Sequence, residues 1–172
     1  GDGYHEHLYL DYLQYDVSKS SINKGETISD TIKTIENYAD IITIRHPENN
    51  IFKQFNCNKL VINAGNGTDE HPTQSLSDLL TIYNCNNKDI NCINNLNIGI
   101  VGDLRYGRTV NSLIKLLLKF NNITFYLISP NELKISNEIK LLITNSNCYY
   151  KEDNDYKKYL DVMDVLYMTR LQ

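Results

Sequence analysis

The sequence predicts an α/β fold of two parallel-sheet lobes with helices on both faces. Three observations predict it. Short runs rich in β-branched residues occur at 40–44, 61–62 and 97–101, and most of them end on a glycine or a charged residue. Each is followed by a stretch whose apolar residues recur at helical spacing. The alternation then starts again near Leu96, which favours parallel strands joined by crossovers. At 172 residues and 41% hydrophobic, the chain can bury one core or two small lobes that share an interface.

Residues 1–15 carry no clean period. His5-x-His7 would share one face of an extended segment, but no cysteine or further histidine stands nearby, so no metal is assigned. Residues 18–26 form a polar loop, and Glu26-Thr27 opens a helix carrying Ile28, Ile32 and Ile35. Lys24 and Gly25 sit just ahead of that helix. A lysine beside a flexible glycine can swing toward an anion or simply stay solvated.

Residues 40–44 read as a strand ending on Arg45-His46-Pro47. Charged side chains at the carboxyl end of a buried strand are where open α/β sheets place their sites. Arg45 is therefore a candidate anion ligand, against the alternative of an ordinary salt-bridged arginine. Residues 47–56 give a short helical connection.

The next unit is the one around which the chain is organised. Val61 and Ile62 suit a buried strand, and Gly65 and Gly67 permit backbone angles that a Cβ would resist. Leu76, Leu79, Leu80 and Tyr83 then fall at helical spacing, with Pro72 where a missing N–H costs nothing. The helix thus starts near His71, and its first turn places His71 and Gln74 on one face beside unpartnered N–H groups. That arrangement suits an anionic, oxygen-rich ligand, although a histidine there can also merely cap or pack.

Residues 84–97 are rich in asparagine and read as a surface loop. Residues 97–102 form a strand and 109–120 an amphipathic helix. Between them, Gly102 to Thr109 spells G-x-x-x-x-G-R-T, one residue from the phosphate-binding G-x-x-x-x-G-K-[ST] loop. Arg108 replaces the lysine and no downstream magnesium aspartate stands out, which argues against a nucleotide hydrolase. An arginine at a helix start suits a planar carboxylate, so Arg108 reads as a carboxylate clamp. A strand at 123–128, a turn at 129–131, a helix at 138–143 and an acidic stretch at 152–155 follow. The last strand, within 161–172, delivers Arg170 at its carboxyl end, as the strand at 40–44 delivers Arg45 in the other lobe.

Composition narrows the partners. A net charge of −4 without a long basic run argues against nucleic acid. The apolar run at 112–120 is broken by Lys115 and Lys119, so no membrane span is expected. The four cysteines, Cys57, Cys85, Cys92 and Cys148, lack zinc-site spacing, so reduced thiols and a cytoplasmic location are the expectation. A Cys85–Cys92 bridge stays open as a minor alternative.

Asn63-Ala64-Gly65-Asn66-Gly67-x-x-Glu70-His71-Pro72-Thr73-Gln74, residues 102–113 and Tyr167-Met168-Thr169-Arg170-Leu171-Gln172 together resemble the aspartate carbamoyltransferases. Lys24-Gly25-Glu26-Thr27 and Arg45-His46-Pro47 fall in that family's order and spacing. The resemblance runs from about residue 10 to 172. It implies two Rossmann-like lobes, with 1–70 the remainder of a carbamoyl-phosphate-binding domain and 71–172 an incomplete aspartate-binding domain. It implies that Arg45 and His71 are catalytic, that Arg45, His71 and Gln74 bind carbamoyl phosphate, and that Arg108, Arg170 and Gln172 bind L-aspartate. Lys24 would reach a neighbouring subunit's site in a homotrimer, and no cofactor would be needed.

Asn66 stands where that family usually has Asp, and Asn111 where it usually has His. The family's Ser-Thr-Arg-Thr turn and His-Pro-Leu-Pro motif would lie upstream and downstream of the residues given, so the chain looks like the middle of the enzyme. The alternative is a catalytically incomplete paralogue or fragment that serves as an oligomerising or binding subunit.

Overall fold

The computed structural model describes residues 25–67 and 70–170. Lys24, Gln172 and the His5-x-His7 pair lie outside the described residues. The smaller lobe begins with α1 (Ile28–Ile35), capped by Thr27, whose side chain accepts from the Asp30 N–H. β1 (Ile41–His46) and β2 (Leu60–Asn66) pair in parallel, and a 3-10 turn at Ile51–Lys53 lies in the connection. Their small core is Ile32 of α1 on Ile42 and Ile44 of β1, with Val61 and Phe52 against it.

α2 (Pro72–Cys85) leads into the larger lobe. There β3 (Asn97–Val101), α3 (Arg108–Leu117), β4 (Thr124–Ile128), α4 (Asn137–Thr144), β5 (Tyr149–Asp153) and β6 (Val165–Met168) build a four-stranded parallel sheet in the order β5-β4-β3-β6. Ile98 and Ile100 of β3, with Phe125 and Leu127 of β4, point to one face. On that face they meet Leu113, Ile114 and Leu117 of α3, Ile139 and Ile143 of α4, and Ile82 of α2. The opposite face carries the 3-10 turn Tyr156–Tyr159, whose Tyr159 ring lies 4.8 Å from that of Tyr126. Helical structure therefore covers both faces of the large sheet.

Residues 84–97 are more than a surface loop. α2 continues to Cys85, and a 3-10 turn at Ile90–Ile93, capped by Asp89, sinks Ile93 fully into the core. The acidic stretch is the end of β5, an edge strand whose Lys151 and Glu152 are exposed, so it shows no apolar period. All four cysteines are free, with Cys148 buried in the large core. Among the described residues no helix is long and apolar enough to cross a membrane.

One feature of this topology positions the site. From β3 the chain steps outward through β4 to β5, then returns across the sheet to β6 on the other side of β3. Strand order reverses between β3 and β6, and a crevice opens there beyond their carboxyl ends. Gly102 lies just after β3 and Thr169 just after β6. A Cβ on Gly102 would sit 2.7 Å from the Thr169 carbonyl oxygen, and its φ is +125°, so only glycine fits comfortably between the two strand exits.

Candidate active site

α2 and α3 begin side by side at this crevice. His71 is the N-cap of α2, with Pro72 in its first turn, and Gly107 is the N-cap of α3. Neither N-cap residue caps its helix with its own side chain. Their first-turn N–H groups therefore bring partial positive charge to the space between them. A cavity of about 540 Å³ occupies that space, lined by Gly67, His71, Gln74, Asp103, Tyr106, Gly107, Arg108, Thr109, Thr169 and Arg170.

The crossing between the lobes is held by one face of α3. Arg108 Nη1 donates to the Gly67 carbonyl at 2.6 Å, Ser112 Oγ accepts from the His71 N–H at 2.9 Å, and Lys115 Nζ lies 3.2 Å from Glu70 Oε1. These positions share a face because they are four and three residues apart on a helix. The bond to Gly67 uses one donor of the Arg108 fork and leaves others for a ligand. Gly65, at φ +121°, keeps the surface beside them bare. A Cβ there would meet His71 Nε2 at 3.6 Å and Arg108 Nη1 at 3.7 Å.

The His71 ring is held below its ordinary pKa of 6.5, first by burial, then by the charges of Arg108 and Arg45. It is neutral near pH 7. Its Nδ1 lies 3.3 Å from Thr73 Oγ1. Gln74 Nε2 donates to Asp78 Oδ1 at 2.9 Å.

Four of the expected site residues thus line one cavity: His71, Gln74, Arg108 and Arg170. Arg45 is exposed at the carboxyl end of β1 and is not among the lining residues, but it is close enough for its charge to act on His71. Lys24 and Gln172 lie outside the described residues.

Asp103, Tyr106, Thr109 and Thr169 also line the cavity without having been expected there. Asp103 is 2% exposed, and its Oδ1 accepts from the N–H groups of Arg105 and Tyr106, which fixes the loop before α3. Thr169 Oγ1 accepts from the Asp103 N–H at 3.1 Å, tying the two strand exits together. Their sequence signal was position alone: Thr169 follows β6 directly, Thr109 lies in the first turn of α3, and Asp103 and Tyr106 lie in the loop that joins β3 to α3. Of the two asparagine departures, Asn66 accepts from Asn63 Nδ2 at 2.8 Å. Asn111 faces a separate polar cleft of about 590 Å³ that also borders Lys115 and Glu70. Among the described residues no group of His, Cys, Asp or Glu is arranged to hold a metal ion.

Residues 5–84 match the family model for the aspartate/ornithine carbamoyltransferase carbamoyl-P binding domain, and residues 94–172 match that for the Asp/Orn binding domain. The aspartate carbamoyltransferase catalytic subunit of Clostridium kluyveri is 46% identical over 155 residues, which is 89% of this chain and 49% of that protein. The aspartate transcarbamoylase of Trypanosoma cruzi, solved with carbamoyl aspartate and phosphate, superposes with a TM-score of 0.81 at 35% identity, covering 93% of this chain and 53% of that one. The catalytic subunit of M. jannaschii aspartate transcarbamoylase gives a TM-score of 0.79 at 41% identity, covering 90% of this chain and 50% of that one. The chain spans about half the length of the curated relatives it matches.

Proposed function

The chain belongs to the aspartate/ornithine carbamoyltransferase family, and from that premise we propose that it transfers the carbamoyl group of carbamoyl phosphate to the amine of L-aspartate, as in de novo pyrimidine synthesis. The observation that carries this reading is the convergence of His71, Gln74, Arg108 and Arg170 on one cavity at two helix N-termini. Helix N-termini suit the phosphate. Two arginines in the lining suit a substrate with two carboxylates, whereas ornithine offers one carboxylate and a cationic side chain that both arginines would repel.

In the proposed reaction the aspartate amine attacks the carbamoyl carbon. A C–N bond forms, the carbonyl becomes a tetrahedral oxyanion, and the C–O bond to phosphorus then breaks with its electron pair leaving on phosphate. The departing phosphate takes the amine proton. His71 donates to the oxyanion, where one well-aimed donor in a dry site is worth roughly 3 kcal/mol of barrier, and Arg45 joins it only if the end of β1 swings in to the cavity whose lining it lies outside. A neutral His71 that accepts from Thr73 at Nδ1 carries its proton on Nε2, the ring nitrogen nearer Gly65. That tautomer suits a donor and not a general base. Gln74 holds the carbamoyl amide, and Arg108 and Arg170 fix the carboxylates so that the amine faces the carbon.

Gln172 would add to the aspartate contacts, and Lys24 would complete a neighbouring site in a homotrimer of a cytoplasmic enzyme without cofactor. The proposed domains are 1–70 and 71–172. Ile82 of α2 packs in the large core, which supports placing α2 with the second domain, whereas the matched family models part between 84 and 94.

The test is a thermal shift with N-(phosphonacetyl)-L-aspartate, which joins both substrates in one molecule. A rise in melting temperature well beyond that given by phosphonoacetate or aspartate alone is expected, because both half-sites are engaged together. A shift no larger than either part gives would count against a joint site.

A further inference from the structure

Asp78 lies one helical turn beyond Gln74 on α2 and outside the cavity lining. Both of its carboxylate oxygens are engaged. Oδ1 accepts from Gln74 Nε2 at 2.9 Å, and Oδ2 accepts from the Tyr167 hydroxyl at 3.1 Å. Tyr167 is fixed in turn, opposite Ile100 in the β3–β6 register and packed against the large core. Burial, the largest influence on its pKa, raises it, so it stays a protonated donor across the physiological range. One carboxylate thus joins the helix that carries Gln74 to the strand that carries Arg170.

The chemistry of the pair fixes which way the amide faces. An ionised carboxylate only accepts, so the edge of Gln74 turned to Asp78 is its NH₂ group. The carbonyl oxygen is the end left for the cavity that Gln74 lines. An amide flip would set two acceptors against each other and leave the NH₂ facing the ligand, which costs a charge-assisted hydrogen bond.

We propose that Asp78 is a positioning residue that holds the Gln74 carbonyl oxygen toward the cavity, and so selects an acyl phosphate whose acyl group carries N–H over one that does not. The inference rests on the carbamoyl-transfer reading above and names what discriminates its first substrate. A carbamoyl NH₂ gives the Gln74 oxygen a donor. The methyl group of acetyl phosphate has the same leaving group and nearly the same shape but leaves that oxygen unpaired, and a site built around a hydrogen bond rejects the analogue that lacks it. In Asp78→Asn the side-chain NH₂ can face the Gln74 carbonyl, which frees the amide to flip and present its own N–H to the cavity.

The test is the ratio of dissociation constants for acetyl phosphate and carbamoyl phosphate, measured calorimetrically on the full chain, on Asp78→Asn and on Tyr167→Phe. The wild type is expected to prefer carbamoyl phosphate, Asp78→Asn to lose about tenfold of that preference, and Tyr167→Phe to lose less in the same direction. A merely structural role would weaken both ligands alike and leave the ratio fixed. If the wild type shows the preference and both variants keep it, the role of Asp78 is wrong and the reading of the site stands. If the wild type binds neither phosphate, or binds both equally, the reading of the site falls and this inference with it. Should Asp78→Asn fail to fold, Tyr167→Phe still decides through the same ratio.

Discussion

The two lobes use the same grammar at very different depth. In the larger one, four strands and the helices α2 to α4 enclose a continuous core in which Ile98, Ile100, Leu113, Phe125 and Ile143 are fully buried. In the smaller one, among the described residues, two strands and α1 enclose three isoleucines, while Ile41 and Leu60 at the start of the strand pair stay 54% and 62% exposed. The described part of the small lobe is tied to the large one at Gly67, Glu70 and His71, which α3 grips by three polar contacts. The site follows the same division. Every expected residue that lines the cavity comes from α2, α3 or the end of β6, and Arg45, the contribution of the small lobe, stands outside the lining and acts on His71 through its charge.

The widest gap between the lobes should appear in their cores. Phe125→Ala is expected to cost about 3 to 5 kcal/mol, measured by urea unfolding, and to lower protection from hydrogen exchange throughout the large sheet. Ile32→Ala is expected to cost about 2 kcal/mol, at the low end for its kind because a shallow cluster can collapse around the gap. Its exchange effect should be confined to α1 and β1. Faster exchange in β3 and β4 on removing Ile32 would show that the lobes form one cooperative unit, contrary to this picture.

What the sequence conveyed follows the same line. The units β2–α2 and β3–α3 were legible because a β-branched run, a glycine and a helical period stand in succession, and the residues at their junctions, His71, Gln74 and Arg108, came with them. β5 was not, because an edge strand can expose Lys151 and Glu152 without penalty and so loses the apolar alternation that marks a strand. The turn that buries Ile93 was hidden by asparagines on both sides of it. Nor could the sequence show that Asp78 meets Tyr167, since 89 positions separate them and only the β6 crossover brings them together. Arg45 was recognised as a strand-end cation, but its distance from the cavity depends on the tilt between lobes, which no local pattern encodes.

The grip itself is testable at a smaller scale. Lys115→Met removes the ion pair with Glu70 and keeps the aliphatic stem that packs on the helix. Both partners are more than a third exposed, so water screens the pair and the loss should stay within about 1 kcal/mol. Exchange at residues 60–66 should nevertheless speed up, because this contact acts on the crossing and not on either core. Unchanged exchange there would assign the grip to Arg108 and Ser112 alone.

The finest probe of the relation between lobes is the His71 ring, because cations from both of them act on it. Burial is the largest cause of its lowered pKa, Arg108 of the large lobe the second and Arg45 of the small lobe the third. Arg108→Gln keeps a side chain of similar length without the charge, so the pKa read from an NMR titration of the ring should rise and yet stay below 6.5. Arg45→Gln should raise it less. Added salt should imitate both changes for the exposed Arg45 more than for the half-buried Arg108. The direction of the stability change follows. A folded-state pKa below the unfolded one means that the unfolded chain binds the extra proton first, so this contribution is complete above pH 6.5 and is lost as the pH falls through the folded value. Arg108→Gln should narrow that acid window from below, even though it weakens the crossing at every pH. If Arg45→Gln moved the ring more than Arg108→Gln does, the small lobe would be closing over the cavity more tightly than its thin core suggests.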